Sequence, residues 1–282
     1  MAGDITGIDH TLINADDLEA DRETYIRLGF NPTPRGRHPQ WGTGNYCFML
    51  ERGYLELIGV VDPDEFAANA SHRGNRDRGT GLSAIALAAD DGAAAAARLI
   101  DAGIAADGPK DLSRLIEEAG EVSEPRFQIV HLPDAATPGI PMFLCHHQTP
   151  ELVRREGWTH HPNGAQCIKS VAVPCENTAP LIEAYSTLLG ENAVTATDDI
   201  VSLWLGDQSI LFASHDDLDE LYPDLLPESD DIPCPAVITL EVADLDATTQ
   251  VMASASIPLL RELRSIMVAA EDACGVALVF TA

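Results

Sequence analysis

Lysine is almost missing from this chain of 282 residues; Lys110 and Lys169 are the only two. Lysines and arginines together number 17 against 45 acids, a formal net charge of -28. A surface of that sign repels phosphate backbones and anionic lipid, so neither nucleic acid nor a membrane is an expected partner. It also stays hydrated at high salt, as in a salt-adapted proteome. Any run of about 18 uncharged apolar residues is absent too, and no membrane-spanning helix is expected. The opening "MAGDITGIDH" lacks the basic and then apolar profile of a secretory signal, which makes the cytoplasm the expected location. The six cysteines contain no C-x-x-C pair and lie mostly in apolar, strand-like runs. Free buried thiols in a reducing compartment follow.

What is present is a weak fourfold repeat. With 45% hydrophobic residues spread along its length, the chain has enough core for two ordinary domains. "GIDHTLINADDLEADRETYIRLGF" reads as a strand, an Asp16 or Asp17 cap and a helix ended by Gly29. Leu18, Tyr25 and Leu28 share one face of that helix. "NYCFMLER" and "GYLELIGV" then form two strands about a turn at Gly53, with room for a short strand over 31–37. The same order recurs from "GLSAIALAADDGAAAAARLIDAGI", from "CIKSVAVPCENTAPLIEAYSTLLG" and from "AVITLEVADLDATTQVMASASI". Asp16 and Asp17 align with Asp90 and Asp91 at an offset of 74, and Tyr25 with Tyr185 at 160. Such offsets indicate duplication of a module pair. The proline- and charge-rich stretch "HQTPELVRREGWTHHPNGA" reads as the linker between halves.

In that register His10 aligns with Ala84, Ser170 and about Val237. Glu56 aligns with the Cys145–His146 segment and then with the neighbourhoods of Leu211 and Leu278. Only the first half gathers metal-type donors. Strand alternation puts Glu56 on the face of Tyr54 and Ile58, in an apolar layer or a pocket wall. A buried carboxylate there needs a cation or a donor. Two imidazoles and a carboxylate suit Fe, Mn, Zn, Co or Ni as the divalent metal, with positions left for substrate. The third ligand is His146 if the set is two histidines and one carboxylate; alternation equally groups Cys145 with His147 on the opposite face. In "GRHPQWGTGN", the glycines permit close backbone approach. Arg35, Arg37 and His38 are candidates to bind an oxygen-rich anion, Trp41 to form an apolar wall and Asn45 to orient an oxygen. His160 is a further candidate to reach the cavity, or else fixes the interdomain turn with His161 and Asn163.

The stretches "DHTLINADDLE", "GRHPQWGTGN", "YLELIGV", "PMFLCHHQTPELV" and "WTHHPNGA" resemble the vicinal oxygen chelate superfamily, within it the type-3 glyoxalase-like proteins. The resemblance covers essentially the whole chain. It implies an α+β fold of four tandem βαβββ modules, forming two glyoxalase/bleomycin-resistance-like domains with curved mixed sheets. Residues 1–150 would be the metal-binding domain and 165–282 a degenerate partner. The implied ligands are His10, Glu56 and His146, with Ala84 where the second module would supply another. Implied activity is a divalent-metal-dependent lyase or isomerase acting on a small molecule with vicinal oxygens. The metal stabilises an enolate or enediolate, and Glu56 or His38 moves the proton. An Fe(II) dioxygenase and a non-catalytic, resistance-type binder are the alternatives. Paired modules in one chain let a monomer build the site, and a homodimer is also compatible.

Overall fold

The computed structural model describes residues 4–38, 41–68, 79–118, 120–227 and 234–282. Pro39 and Gln40 of the expected pocket loop lie outside the described residues. The four βαβββ modules are present. The first is β1 (Ile5–Asn14), α1 (Leu18–Arg27), β2 (Gly36–His38), β3 (Thr43–Met49) and β4 (Tyr54–Val60), followed by the short α2 (Pro63–Ala68). The second is β5 (Gly81–Ala89), α3 (Gly92–Asp101), β6 (Asp107–Ser113), a hairpin of β7 (Ile116–Glu118) and β8 (Glu121–Ser123), then β9 (Arg126–His131) and β10 (Met142–His147). After the one-turn α4 (Glu156–Thr159), the third comprises β11 (Ala165–Pro174), α5 (Ala179–Leu189), β12 (Val194–Thr197), β13 (Ile200–Leu205) and β14 (Gln208–Ala213). Helix α6 (His215–Leu221) leads to the fourth, β15 (Val237–Val242), α7 (Leu245–Ser254), β16 (Leu260–Arg261), β17 (Ser265–Val268) and β18 (Ala277–Thr281).

Each module pair builds one curved, mixed, eight-stranded sheet. The orders, β2-β3-β4-β1-β5-β10-β9-β6 and β12-β13-β14-β11-β15-β18-β17-β16, are the same topology. The first strands of the two modules, β1 and β5 or β11 and β15, run antiparallel at the centre. This puts the modules of a pair in twofold-like relation and makes the central strands the natural place for a shared site.

Local chemistry fixes the helix starts. Asp17, Asp91 and Asp244 each accept two backbone N–H bonds at the entry of α1, α3 and α7, satisfying donors that a helix end leaves open. Gly29, at φ 84°, ends α1 where a Cβ would collide with Val251 and Asn163. The two sheets share one core. The Tyr25 hydroxyl reaches the Ala273 carbonyl at 3.5 Å, and Tyr185, its counterpart, donates to the Pro138 carbonyl at 2.9 Å. Each tyrosine therefore leaves the first module of one half and meets the second module of the other. His161 ties the segment between the halves to the first module: Nε2–H donates to the Met49 carbonyl at 2.8 Å, and Nδ1 accepts from Asn31 N–H at 3.0 Å. Burial pushes its pKa down to about 4, so the ring is neutral.

The strand pairings also correct the alignment of the last strands. Leu12 is opposite Glu56 and Ala86 opposite Phe143, so Phe143, not Cys145 or His146, is the counterpart of Glu56. In the other half the counterparts are Leu211, opposite Ala172, and Val279, opposite Thr239. Loops of unequal length before β10 and β18 displaced the register read from sequence.

Candidate functional site

A cavity of about 370 Å³ lies against the first sheet, within the range of small-molecule sites. His10, Glu56, Asn45 and His38 reach it from β1, β4, β3 and β2, and Trp41 from the turn before β3. His10 is fixed on three sides. Its ring stacks on Tyr54 with centroids 4.3 Å apart, meets the edge of Phe143 at 5.6 Å, and has Nδ1 2.6 Å from Asp9 Oδ2.

Asp9 reaches that position through a break in strand pairing. Ile8 pairs with Leu87 and His10 with Ala86, which leaves Asp9 as the extra residue of a β-bulge. A bulge re-aims a side chain that strict alternation would send to the other face. Asp9 Oδ2 also lies 3.1 Å from His147 Nε2. Burial would raise its carboxyl pKa, but hydrogen bonds from His10 and His147 outweigh burial and hold it well below the ordinary carboxylate range. An ionised carboxylate only accepts, so both imidazoles donate to Asp9. A His10 proton is thereby held on Nδ1, and Nε2 is the nitrogen left turned toward Glu56.

Nε2 faces a carboxylate. His10 Nε2 is 3.5 Å from Glu56 Oε2, long for a hydrogen bond. Glu56 is buried, and its other oxygen accepts from Asn45 Nδ2 at 2.7 Å. Among the described residues Asn45 Oδ1 has no hydrogen-bond partner, and it sits against Gly36, where a Cβ would overlap it. Two ligands about 2.1 Å from a tetrahedral ion stand roughly 3.4 Å apart. His10 Nε2 and Glu56 Oε2 therefore fit a shared divalent ion, with Asp9 as the carboxylate behind the histidine. Asp9, His10 and Cys145 also bring donor atoms within 4.8 Å of one another. Asp9 Oδ2 is already committed to two imidazoles, however, and burial together with Asp9 pushes the Cys145 thiol well above its usual pKa. The His10–Glu56 pair is the better donor set.

The remaining expected residues separate clearly. His146 is off the cavity, with Nδ1 3.4 Å from Gly92 N and 3.3 Å from Gln128 Oε1. Cys145 and His147 line the cavity instead. Strand alternation had grouped those two, and the phase of β10 turns them inward. In β2, His38 faces the cavity with Nδ1 3.0 Å from Thr43 Oγ1, and alternation sends Arg37 outward to pair with Asp62 and Glu65. Arg35 is exposed and pairs with Glu19 on α1. His160 is exposed too, its carbonyl accepting from Asn31 Nδ2 at 2.6 Å. Neither arginine nor His160 lines the cavity.

Sequence reasoning passed over Asp9, His131 and Arg114. His131 lines the cavity from β9. Arg114 follows the polar strand β6, which carries no apolar pattern, and is almost fully buried beside the cavity with Nη1 3.0 Å from Cys47 Sγ. Burial lifts the Cys47 thiol to about 11 despite the guanidinium. A lone arginine in a polar run gives no signal in sequence. Asp9, adjacent to His10 in "IDHTL", offered a weak one.

The second sheet has a different interior. Val237, Val279, Ala172 and Met267 form an apolar cluster with Leu218 of α6 and with Leu225 and Leu226 beyond it. Leu211, the counterpart of Glu56, packs against the same cluster.

A family model described as a glyoxalase-like domain matches residues 8–189. The protein from Staphylococcus aureus described as hypothetical aligns with 97% of this chain and 98% of its own, at 14% identity and TM-score 0.69. A xylose isomerase-like TIM barrel/4-hydroxyphenylpyruvate dioxygenase fusion protein aligns at 15% identity and TM-score 0.55, over 91% of this chain and 40% of its own. The methylmalonyl-CoA epimerase from Mycobacterium tuberculosis covers 54% of this chain and 93% of its own at 18% identity, with TM-score 0.41. The first two likenesses, at identities this low, speak to fold alone. No curated protein matches the chain. The chain belongs to the glyoxalase-like domain family and has the fold of the vicinal oxygen chelate superfamily.

Proposed function

We propose that this glyoxalase-like chain is a divalent-metal-dependent lyase or isomerase acting on a small molecule with vicinal oxygens, and that its first-half cavity is the active site. The observation that carries the reading is the His10 Nε2–Glu56 Oε2 pair, 3.5 Å apart, backed by Asp9 at 2.6 Å. An ion held by His10 and Glu56 supplies electrophilic stabilisation of negative charge on adjacent oxygens.

The chain's own residues do the rest. Asp9 fixes the tautomer and orientation of His10, and Tyr54 and Phe143 restrict its ring. Asn45 holds Glu56 so that one carboxylate oxygen remains turned toward His10. His38, tied at Nδ1 to Thr43 Oγ1, takes and returns the substrate proton, a role suited to an imidazole near neutral pH. Trp41, Phe127 and Phe143 are apolar wall that keeps water from the carbanionic carbon.

The test is proton exchange. Metal-loaded protein is incubated in D2O with a panel of 2-hydroxy and 2-oxo carbonyl compounds, and carbon-bound deuterium is followed by NMR. Incorporation by the wild type, with a loss of about 10²-fold or more in His38→Gln that retains its metal, supports the reading. Oxygen uptake without exchange would assign the site to an oxygenase. Tight ligand binding with neither reaction would make it a binder.

A further inference from the structure

Among the described residues lining the cavity, Arg114 is the permanent cation, and its guanidinium has no carboxylate in contact. The residue is 8% exposed. Its side-chain hydrogen bond goes to Cys47 Sγ, a weak acceptor that brings no counter-charge. Glu56 acts on it through space, but the oxygens of Glu56 are turned to Asn45 and His10. A guanidinium keeps its charge at any usable pH, and burying one without an anion is costly.

The surrounding wall is apolar, with Leu112 beside Arg114 and with Phe127 and Phe143. A ligand that is charged at one end and apolar elsewhere matches this surface.

We propose that Arg114 receives a carboxylate of the substrate, so that the ligand class is a small 2-hydroxy or 2-oxo acid with an apolar substituent, its vicinal oxygens directed at His10 and Glu56. The planar fork of the guanidinium matches a carboxylate oxygen pair, and a lysine does not reproduce it. The inference rests on the cavity being the substrate site described above.

Calorimetry with mandelate and mandelamide tests it. The two probes share the ring and the vicinal oxygens and differ in charge. Wild-type protein loaded with Mn(II) should bind mandelate at least about tenfold tighter than mandelamide. Arg114→Met should lose that preference while its Mn(II) content and melting curve stay unchanged, and Arg114→Lys should retain part of it. Equal binding of both probes by the wild type, no binding of mandelate, or a folded Arg114→Met protein that still prefers mandelate would overturn the assignment. The underlying metal reading fails separately. Protein that takes up no Mn(II) yet shows an Arg114-dependent preference for mandelate keeps the acid class and loses the metal. Protein that holds Mn(II) through His10 and Glu56 without such a preference does the reverse.

Discussion

Where the first sheet carries His10 and Glu56, the second carries Ser170 and Leu211. The strand order around these positions is identical, yet one concave face holds a cavity with a cluster of polar donors in an apolar wall and the other an apolar plug. The same topology therefore tolerates two interiors, and side chains at a few strand positions decide between them. In the second half, Leu218, Leu225 and Leu226 fill the space that ligands would need, and their burial stabilises the fold. In the first half, Asp9, His10, Glu56 and Arg114 are kept out of water at a cost in stability. The second half offsets that cost through the shared core, to which Tyr25, Phe30 and Phe280 contribute.

Several substitutions can break or sharpen this contrast. Leu225→Ala empties part of the plug and should cost about 2–5 kcal/mol in urea unfolding, with metal content and ligand binding in the first half unchanged. Loss of metal in that variant would show that the two interiors are coupled. The segment between the halves gives the next effect. His161 is buried neutral with its pKa at about 4 against 6.5 in the unfolded chain. The unfolded state binds the extra proton between these values, so stability falls as pH drops from 6.5 to 4, by about 3 kcal/mol from this residue. His161→Asn should flatten that slope in chemical denaturation at several pH values.

A smaller effect isolates the support behind His10. Asp9→Asn leaves the ligand atoms in place but removes the carboxylate that fixes the His10 tautomer; metal affinity should fall by about 10–100-fold in a competition titration. Lys169, which is the second-half neighbour of Ser170 and pairs with Glu241 and Asp207 at the surface, should show no such effect when changed to Met. The tyrosine pair gives the smallest one. Tyr185→Phe removes a 2.9 Å bond and should cost about 1 kcal/mol, more than Tyr25→Phe, whose bond is 3.5 Å long.

The fold was largely legible because the repeat was. Asp17 and Asp91 cap their helices as the 74-residue offset implied, and Tyr25 and Tyr185 make equivalent contacts across the halves. His10, Glu56, Asn45, His38 and Trp41 come together because each lies at a strand or loop position whose phase is set by apolar neighbours. His146 was misplaced because a run of Cys145, His146 and His147 offers donors on both faces of β10, and only the packing of Phe143 and Leu144 fixes the phase. Arg35 and Arg37 had nearer carboxylates on α1 and α2. Asp9 needed a bulge, and Arg114 needed a tertiary contact to Cys47. Bulges and long-range contacts leave no periodic trace in sequence.

The most direct measurement is elemental analysis of protein purified anaerobically without chelator, for the wild type, His10→Ala, Glu56→Ala and Ser170→Ala. The account predicts close to one divalent ion per chain in the wild type and Ser170→Ala, and its loss from the other two. A wild type that stays empty after each candidate metal is added, or His10→Ala and Glu56→Ala proteins that still hold the ion, would contradict it.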